Sequence, residues 1–171
     1  IAAGHRRVLV IDANFRRPRT HQIFQTEGQP GLADVLAGSA TLDAAAQRSR
    51  VEHVDVLGAG SSAKRVVERL DTDSMSQLLT EAGERYDTII VDAPPAIVSG
   101  AGVALANRCD ASVLVARALA EKRGLVARVQ GELSDARAEF MGVIVQAVRS
   151  AAGGYLKRNI RATREYTNGK P

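Results

Sequence analysis

Apolar and polar positions alternate in blocks along this chain, and the blocks predict strands separated by helices. Short apolar runs rich in Val and Ile are typical of strands buried in a parallel sheet. We predict strands over residues 8–12, 54–57, 86–92, 111–116 and 142–148. The run that begins at Tyr86 ends in Asp92-Ala93-Pro94-Pro95, and the two prolines must take the chain out of the sheet just after the acid.

Polar and amphipathic segments between these runs predict the helices. Thr41 is a candidate N-cap, and Ser74 with Gln77 fits a capping box. We predict helices over residues 20–24, 32–38, 41–48, 74–83, 102–108 and 121–139. Strands that alternate with helices indicate an α/β fold with a doubly wound, mostly parallel sheet. Residues 1–150 are predicted to form this domain, and residues 151–171 a flexible basic tail.

Composition limits the class of protein. The chain has 171 residues, of which 45% are hydrophobic and 25% charged, so one folded domain is expected. A single cysteine, Cys109, excludes an intramolecular disulfide, and we expect it to be a small core residue. No apolar run approaches the roughly 20 residues of a membrane span. His5, His21 and His53 lack metal-ligand spacing.

Two predicted strands end in aspartate, at Asp12 and Asp92. Open α/β sheets bind ligands at the carboxyl ends of their strands, so these carboxylates are candidates for a shared site. Two hard oxygen ligands suit Mg²⁺, which phosphoryl transfer needs in order to neutralise phosphate charge. On this reading Asp12 is the candidate base and Asp92 the metal acid, and both are candidate metal ligands. The alternative is that both residues end strands in solvent.

The same stretches resemble motifs of a known family. Residues 8–18, VLVIDANFRRP, resemble the second Walker motif of bacterial tyrosine kinases, a family related to MinD/ParA-type ATPases. Residues 86–95, YDTIIVDAPP, resemble the Walker B motif of that family. Residues 31–38, 54–60 and 105–115 are similar to the segments that lie between and after these motifs.

The resemblance implies a P-loop domain that uses ATP and Mg²⁺ to phosphorylate tyrosines on the tail of a neighbouring copy. It implies nucleotide contacts at Asn14, Arg16, Pro94, Gln146 and Arg149. It also implies a homo-oligomer that works with a membrane polysaccharide co-polymerase in exopolysaccharide or capsule synthesis, on the cytoplasmic side of the inner membrane. No nucleic-acid partner is expected.

The sequence departs from the family pattern at several points. The glycine-rich phosphate loop, with its lysine, is not found, and Ile1-Ala2-Ala3-Gly4 resembles the end of a helix, so we expect a fragment that binds ATP poorly. Asn14 stands where the family usually has Asp. Ala101 occupies another position that is often Asp, and Gln146 replaces an Asn near the adenine. These departures leave two alternatives open, a MinD/ParA-type ATPase and a non-catalytic module of an export complex.

The tail carries two tyrosines, Tyr155 and Tyr166, and the resemblance implies that they are autophosphorylation sites. The alternative is that Tyr155 packs on the domain and Tyr166 is a solvated residue. Basic tail residues could instead contact anionic lipid headgroups, or serve only solubility. The exposed arginines that follow Asp12 could contact phosphate, a neighbouring subunit or phosphotyrosine, or simply form a solvated loop.

Overall fold

The computed structural model describes residues 4–61, 70, 73–96, 100–118 and 120–147. Within these residues the strands are β1 Val8–Asp12, β2 Ala46–Arg48, β3 Val54–Leu57, β4 Thr88–Asp92, β5 Ala111–Arg117 and β6 Glu139–Gln146. The helices are α1 Thr20–Phe24, α2 Leu32–Leu36, α3 Leu42–Ala45, α4 Asp73–Gly83, α5 Ala101–Ala106 and α6 Arg123–Ser134. None of these helices is long and apolar enough to cross a membrane.

The strands of the described residues form two sheets. The first has the order β2-β3-β1-β4, in which β1 pairs in parallel with both β3 and β4. The second consists of β5 and β6, which are also parallel. The predicted α/β class and the parallel pairing are confirmed, although the sheet is divided and β2 adds an antiparallel strand to its edge.

The core is centred on β1, whose five residues are all buried. Leu9 and Ile11 face α2, α3 and α4, where they join the largest apolar cluster. Val8 and Val10 face the other side and pack with β3 and with Phe24 of α1. Full burial of such a side chain contributes about 1.5–3 kcal/mol, so β1 is firmly anchored in the core, and Asp12 at its carboxyl end is anchored with it.

Two predicted helices are shorter than expected. The helix predicted over 41–48 ends at Ala45, and Ala46–Arg48 pairs with β3 instead. The predicted cap is present, since the Thr41 hydroxyl accepts from the Ala44 N–H at 3.3 Å. The helix predicted over 121–139 stops at Ser134, because Glu139 already pairs with Ala111 as the first residue of β6. In both places strand pairing outweighs local helical pattern.

The strand that ends in Asp92 is less buried than its apolar run predicts. Ile90 is 44% exposed, whereas Ile89 and Val91 pack against the main core. In the first sheet, β4 is the edge strand, so its outer side has no strand partner among the described residues. An apolar run therefore indicated the strand correctly but overestimated its burial.

Candidate functional site

Asp12 and Asp92 lie side by side at one edge of the first sheet. They are partners in the register of the parallel strands β1 and β4, and such strands run about 4.8 Å apart. Partial burial, together with the negative charge of Asp12, raises the pKa of Asp92. The predicted convergence of the two strand-end acids is therefore present, and their charges interact.

The Asp12 carboxylate is fully buried and is held by the backbone of its own loop. Its Oδ1 accepts from the Asn14 N–H at 3.0 Å, and its Oδ2 accepts from the Arg19 and Thr20 N–H groups, each at 3.0 Å. A carboxylate has about four acceptor positions, so one position, on Oδ1, remains open. Asp12 thus joins the end of β1 to the first turn of α1. Its role as a base stays a prediction.

Asp92 differs from Asp12 in its surroundings. Its carboxylate is partly exposed and has no hydrogen-bond partner among the described residues. Its backbone is fixed, because the Asp92 carbonyl accepts from the Ala13 N–H at 3.0 Å. A carboxylate that is positioned, unpaired and close to another negative charge favours a cation beside it.

The loop after Asp12 carries the other predicted contacts on this side. The Asn14 side-chain oxygen accepts from the Arg17 N–H at 3.4 Å, so it stabilises the turn of the loop. Arg16 is exposed and pairs with no residue in the described ranges. Pro94 is half-buried at the point where the chain leaves β4. These residues follow the two acids closely along the chain, but nothing in their contacts assigns them a ligand.

Of the remaining predicted residues, Gln146 is described, and it belongs to the other sheet. Gln146 ends β6 in the second sheet, where its register partner is Arg117 of β5. Arg117 is exposed at a strand end and was not predicted as a site residue. Arg149, Tyr155 and Tyr166 lie outside the described residues.

Sequence reasoning also missed Asp34, which fixes the neighbouring loop at the end of β3. Its Oδ2 accepts from the Gly31 N–H at 2.8 Å and the Ser61 N–H at 3.2 Å, and its Oδ1 accepts from the Ser61 hydroxyl. Partial burial acts to raise the pKa of Asp34, but these hydrogen bonds outweigh it and lower the pKa. The acidic residue three positions after Gly31 was the signal that could have revealed this cap.

The acid pair can supply part of the coordination shell of a magnesium ion. No group of three or more His, Cys, Asp or Glu side chains that could hold a metal occurs among the described residues. Mg²⁺ commonly takes one or two carboxylates and completes its shell with water and phosphate oxygens. Asp92 has a free carboxylate for direct contact, and Asp12 has one acceptor position. The donor set is therefore compatible with Mg²⁺ bound together with a phosphate-bearing ligand.

Curated proteins similar to this chain are tyrosine-protein kinases. Tyrosine-protein kinase YwqD of Bacillus subtilis is 32% identical over 140 residues, which are 82% of this chain and 59% of YwqD. Tyrosine-protein kinase Etk of Escherichia coli is 33% identical over 158 residues, which are 92% of this chain and 21% of Etk. The chain therefore spans from about a fifth to three fifths of the length of these relatives. No family profile matches the sequence.

Solved structures with the same fold include kinase domains. The VpsO kinase domain matches with a TM-score of 0.79 and 29% identity, over 86% of this chain and 73% of that one. The kinase domain of Escherichia coli Etk matches with a TM-score of 0.78 and 29% identity, over 90% of this chain and 62% of that one. MinD from Pyrococcus horikoshii, solved with Mg-ADP, shares the fold at 20% identity and a TM-score of 0.69, over 91% of this chain and 65% of that one.

Proposed function

Because the chain belongs to the bacterial tyrosine kinase family, we propose that it is the metal-side part of an ATP-dependent protein-tyrosine kinase domain. The activity would be autophosphorylation that regulates exopolysaccharide or capsule synthesis and export. The proposal rests on one observation above all. Two aspartates occupy paired positions at the carboxyl ends of adjacent parallel strands, where open α/β sheets bind ligands.

Each acid has a distinct part in this proposal. Asp92, whose carboxylate is unpaired and partly exposed, contacts Mg²⁺ directly. Asp12 holds the loop that carries Asn14 and Arg16 in place through its three backbone contacts, and the acceptor position left on its Oδ1 is the proposed base for a substrate hydroxyl. Bound Mg²⁺ would neutralise negative charge on the β- and γ-phosphates of ATP.

The phosphate-binding half of the site is proposed to come from outside the described residues. β4 and β5 follow one another in the chain, yet they belong to different sheets, and each has an unpaired edge within the described part of the chain. A parallel strand placed between them would join the sheets and end beside Asp92. The loop after such a strand could supply the backbone N–H groups and lysine that cradle phosphates in P-loop proteins.

The partners of the family belong to this proposal as well. Tyr155 and Tyr166 are the proposed phosphate acceptors, in a homo-oligomer whose copies act on each other's tails. The membrane polysaccharide co-polymerase is the proposed regulatory partner, and Arg149 and the basic tail would contact nucleotide or anionic headgroups. Gln146 is the proposed contact to the adenine base.

The test is a phosphotyrosine assay on the complete product of the gene, incubated with Mg²⁺ and ATP. Wild type should become phosphorylated, and Asp92→Asn should reduce the rate by at least about 100-fold if the metal acid is lost. Asp110→Asn is the matched control, because Asp110 is an exposed aspartate beside a different strand. ATP hydrolysis without any phosphotyrosine would instead support a MinD-type ATPase.

A second arm tests the acceptors. Replacing both Tyr155 and Tyr166 with Phe should remove the phosphotyrosine signal while ATP binding persists. Tyr86→Phe is the control, since the Tyr86 hydroxyl is engaged with Asp55 at 2.9 Å and its side chain is buried. Undiminished phosphorylation in the double variant would contradict the assignment of the tail. Absence of both ATP binding and phosphorylation in wild type would favour the non-catalytic alternative, to which Asn14 already points.

A further inference from the structure

Residues 58–61, which we call the β3 loop, border the acid pair on the side away from Asp92. β1 is a middle strand of the first sheet, with β3 on one side and β4 on the other. The last residue of β3 is the register partner of Ile11, so the β3 loop leaves the sheet beside Asp12. Parallel strands run about 4.8 Å apart, so Asp12 has Asp92 on one side and the β3 loop on the other at similar spacing.

The inner half of the β3 loop is fastened to the start of α2. The Leu32 N–H donates to the Gly58 carbonyl at 2.7 Å, and the Ala33 N–H donates to the Ala59 carbonyl at 3.0 Å. Gly58 and Ala59 are buried. The inner half therefore belongs to the core, and the outer half, residues 60–61, is the part that reaches the surface.

Asp34 holds this outer half in place. Its Oδ2 accepts from the Ser61 N–H at 3.2 Å, and its Oδ1 accepts from the Ser61 hydroxyl. The same carboxylate accepts from the Gly31 N–H at 2.8 Å, which ties it to the start of α2. The turn of the loop is made at Gly60, whose φ of 82° lies in the left-handed region that favours glycine. One carboxylate therefore sets the position of the exposed end of the β3 loop.

Phosphoryl transfer gives the two sides of Asp12 different ligands. The attacking and leaving oxygens lie roughly in line, on opposite sides of the transferred group. In the proposed function, Mg²⁺ and the phosphates of ATP lie on the side of Asp92, next to β4. The acceptor hydroxyl then approaches Asp12, the proposed base, from the side of β3.

We propose that the β3 loop is the wall of the site against which the acceptor segment binds, and that Asp34 is a positioning residue for that segment. The inference rests on the proposed kinase function, and the acceptor is a protein segment that carries a tyrosine. The tyrosine oxygen bonds to the γ-phosphorus of ATP while the bond from that phosphorus to the β-phosphate oxygen breaks. ADP is the leaving group, and the hydroxyl proton passes to Asp12.

Loss of the Asp34 contacts should weaken binding of the acceptor and leave binding of ATP unchanged. An asparagine keeps one acceptor oxygen, so it cannot serve Gly31 and Ser61 as the carboxylate does. One hydrogen bond to a charged group is worth a factor of about 10 or more in the placement of the loop. A loop that is correctly placed in about one molecule in ten lowers the apparent affinity about 10-fold.

The two KM values separate this role from simple support of the fold. Unfolding of part of the sample lowers the measured kcat, but it leaves both KM values unchanged, because only folded molecules bind substrate. A rise in one KM value alone therefore reports a lost contact on one side of the site.

Steady-state kinetics on the complete product of the gene test the proposal, with both tail tyrosines replaced by Phe and a synthetic peptide of residues 151–171 as the acceptor. Asp34→Asn should raise the KM for the peptide about 10-fold and keep the KM for ATP within about 2-fold. Asp43→Asn is the matched control, because Asp43 is an exposed aspartate whose partner Arg85 lies just before the start of β4, at the opposite edge of the sheet. It should leave both KM values unchanged.

A second variant guards against misfolding of Asp34→Asn. Ser61→Ala removes the hydroxyl contact and keeps the contact between Asp34 and the Gly31 N–H. It should raise the KM for the peptide by a smaller factor, about 3-fold, and should add little to Asp34→Asn, because the two changes remove a shared contact.

The possible failures of the inference and of the proposed function give different results. Equal rises in both KM values, a rise confined to ATP, or no rise in either would overturn the role of Asp34 and leave the kinase function intact. Absence of peptide phosphorylation by the enzyme with an unchanged Asp34 would refute the proposed function, and the inference with it.

Discussion

Replacing Asp12 with asparagine should destabilise the fold, whatever it does to activity. The carboxylate is fully buried and accepts from three backbone N–H groups, those of Asn14, Arg19 and Thr20. An asparagine keeps one acceptor oxygen. If that oxygen serves Arg19 and Thr20, the amide nitrogen opposes the Asn14 N–H, and two donors then meet in a buried position.

The magnitude follows from these contacts. A hydrogen bond to a charged group contributes about 1.5–3 kcal/mol, and one between neutral groups about 0.5–1.5 kcal/mol. Losing one hydrogen bond to the charged carboxylate and weakening the two others costs about 3–5 kcal/mol. The neutral asparagine also removes the repulsion between residues 12 and 92, which makes the net cost smaller. We expect a net loss of about 2–4 kcal/mol in the free energy of unfolding. For a chain of this size that lowers Tm by about 5–15 °C.

Asp92→Asn should have the opposite effect in the nucleotide-free chain. Partial burial and the charge of Asp12 raise the pKa of Asp92 above its usual 3.8, so the folded state holds this proton more tightly than the unfolded state. The stability of wild type therefore falls as pH rises above about 4. The asparagine variant lacks this decline, so its free energy of unfolding should equal or exceed that of wild type at pH 7, and the difference should vanish near pH 3.5.

Urea unfolding followed by circular dichroism measures both variants at pH 7 and near pH 3.5. Asp110→Asn is again the control, since Asp110 is exposed, and its stability should stay within about 0.5 kcal/mol of wild type. The reasoning fails if Asp12→Asn is as stable as wild type, or if Asp92→Asn is the more damaging change. The consequence for kinetics is direct: loss of activity in an Asp12 variant is interpretable only after its folded fraction is known.

Two further predictions concern two glycines, Gly31 and Gly131, and the buried tyrosine Tyr86. Gly31→Ala should lower the free energy of unfolding by about 1–3 kcal/mol, because a Cβ at this position would collide with the Gly58 carbonyl. Gly131→Ala, at a helix position with open space around it, should instead raise it by about 0.5–1 kcal/mol. Thermal unfolding compares the two variants, and equal effects would contradict the packing around Gly31. Burial and the hydrogen bond to Asp55 raise the pKa of Tyr86 to about 12, so wild type should lose stability as pH rises from about 10 to about 12. Tyr86→Phe should lower the free energy of unfolding by about 1–2 kcal/mol at pH 7, and its stability should not show this fall between about pH 10 and 12. Urea titrations at several pH values measure both effects.

The sequence pattern predicted which helices and strands exist more accurately than it predicted their lengths or their neighbours. The strand at residues 8–12 and the helix at residues 20–24 have the predicted bounds, because burial and local pattern agree there. The helix predicted over 41–48 is wrong in its second half, where pairing with β3 competes. The division into two sheets could not be read from the pattern, because the pattern does not say which strands are neighbours.

The positions of the two strand-end acids could be predicted from the sequence, whereas the contacts that hold them could not. The sequence placed Asp12 and Asp92 at strand ends, and the register confirms that they are partners. It did not indicate that Asp12 would be buried under three backbone N–H groups, because the bend that brings residues 19 and 20 back to residue 12 depends on tertiary packing. For Asp34, the local contact with the Gly31 N–H could have been read from the spacing, whereas the contact with Ser61 could not, because Ser61 is distant in sequence.

Exposed apolar side chains lie on strands of both sheets, on β4 in the first and on β5 and β6 in the second. Ile90 is exposed at the outer edge of the first sheet, and Val115 and Ile144 are exposed on the second. β4 and β5 are joined through α5, which packs in the cores of both sheets, yet the two strands are not paired. The parallel strand proposed between β4 and β5 would pair with the edges that these two strands leave open among the described residues. In this proposal the same strand brings its own carboxyl end to Asp92, so completion of the sheet and completion of the phosphate site depend on one element.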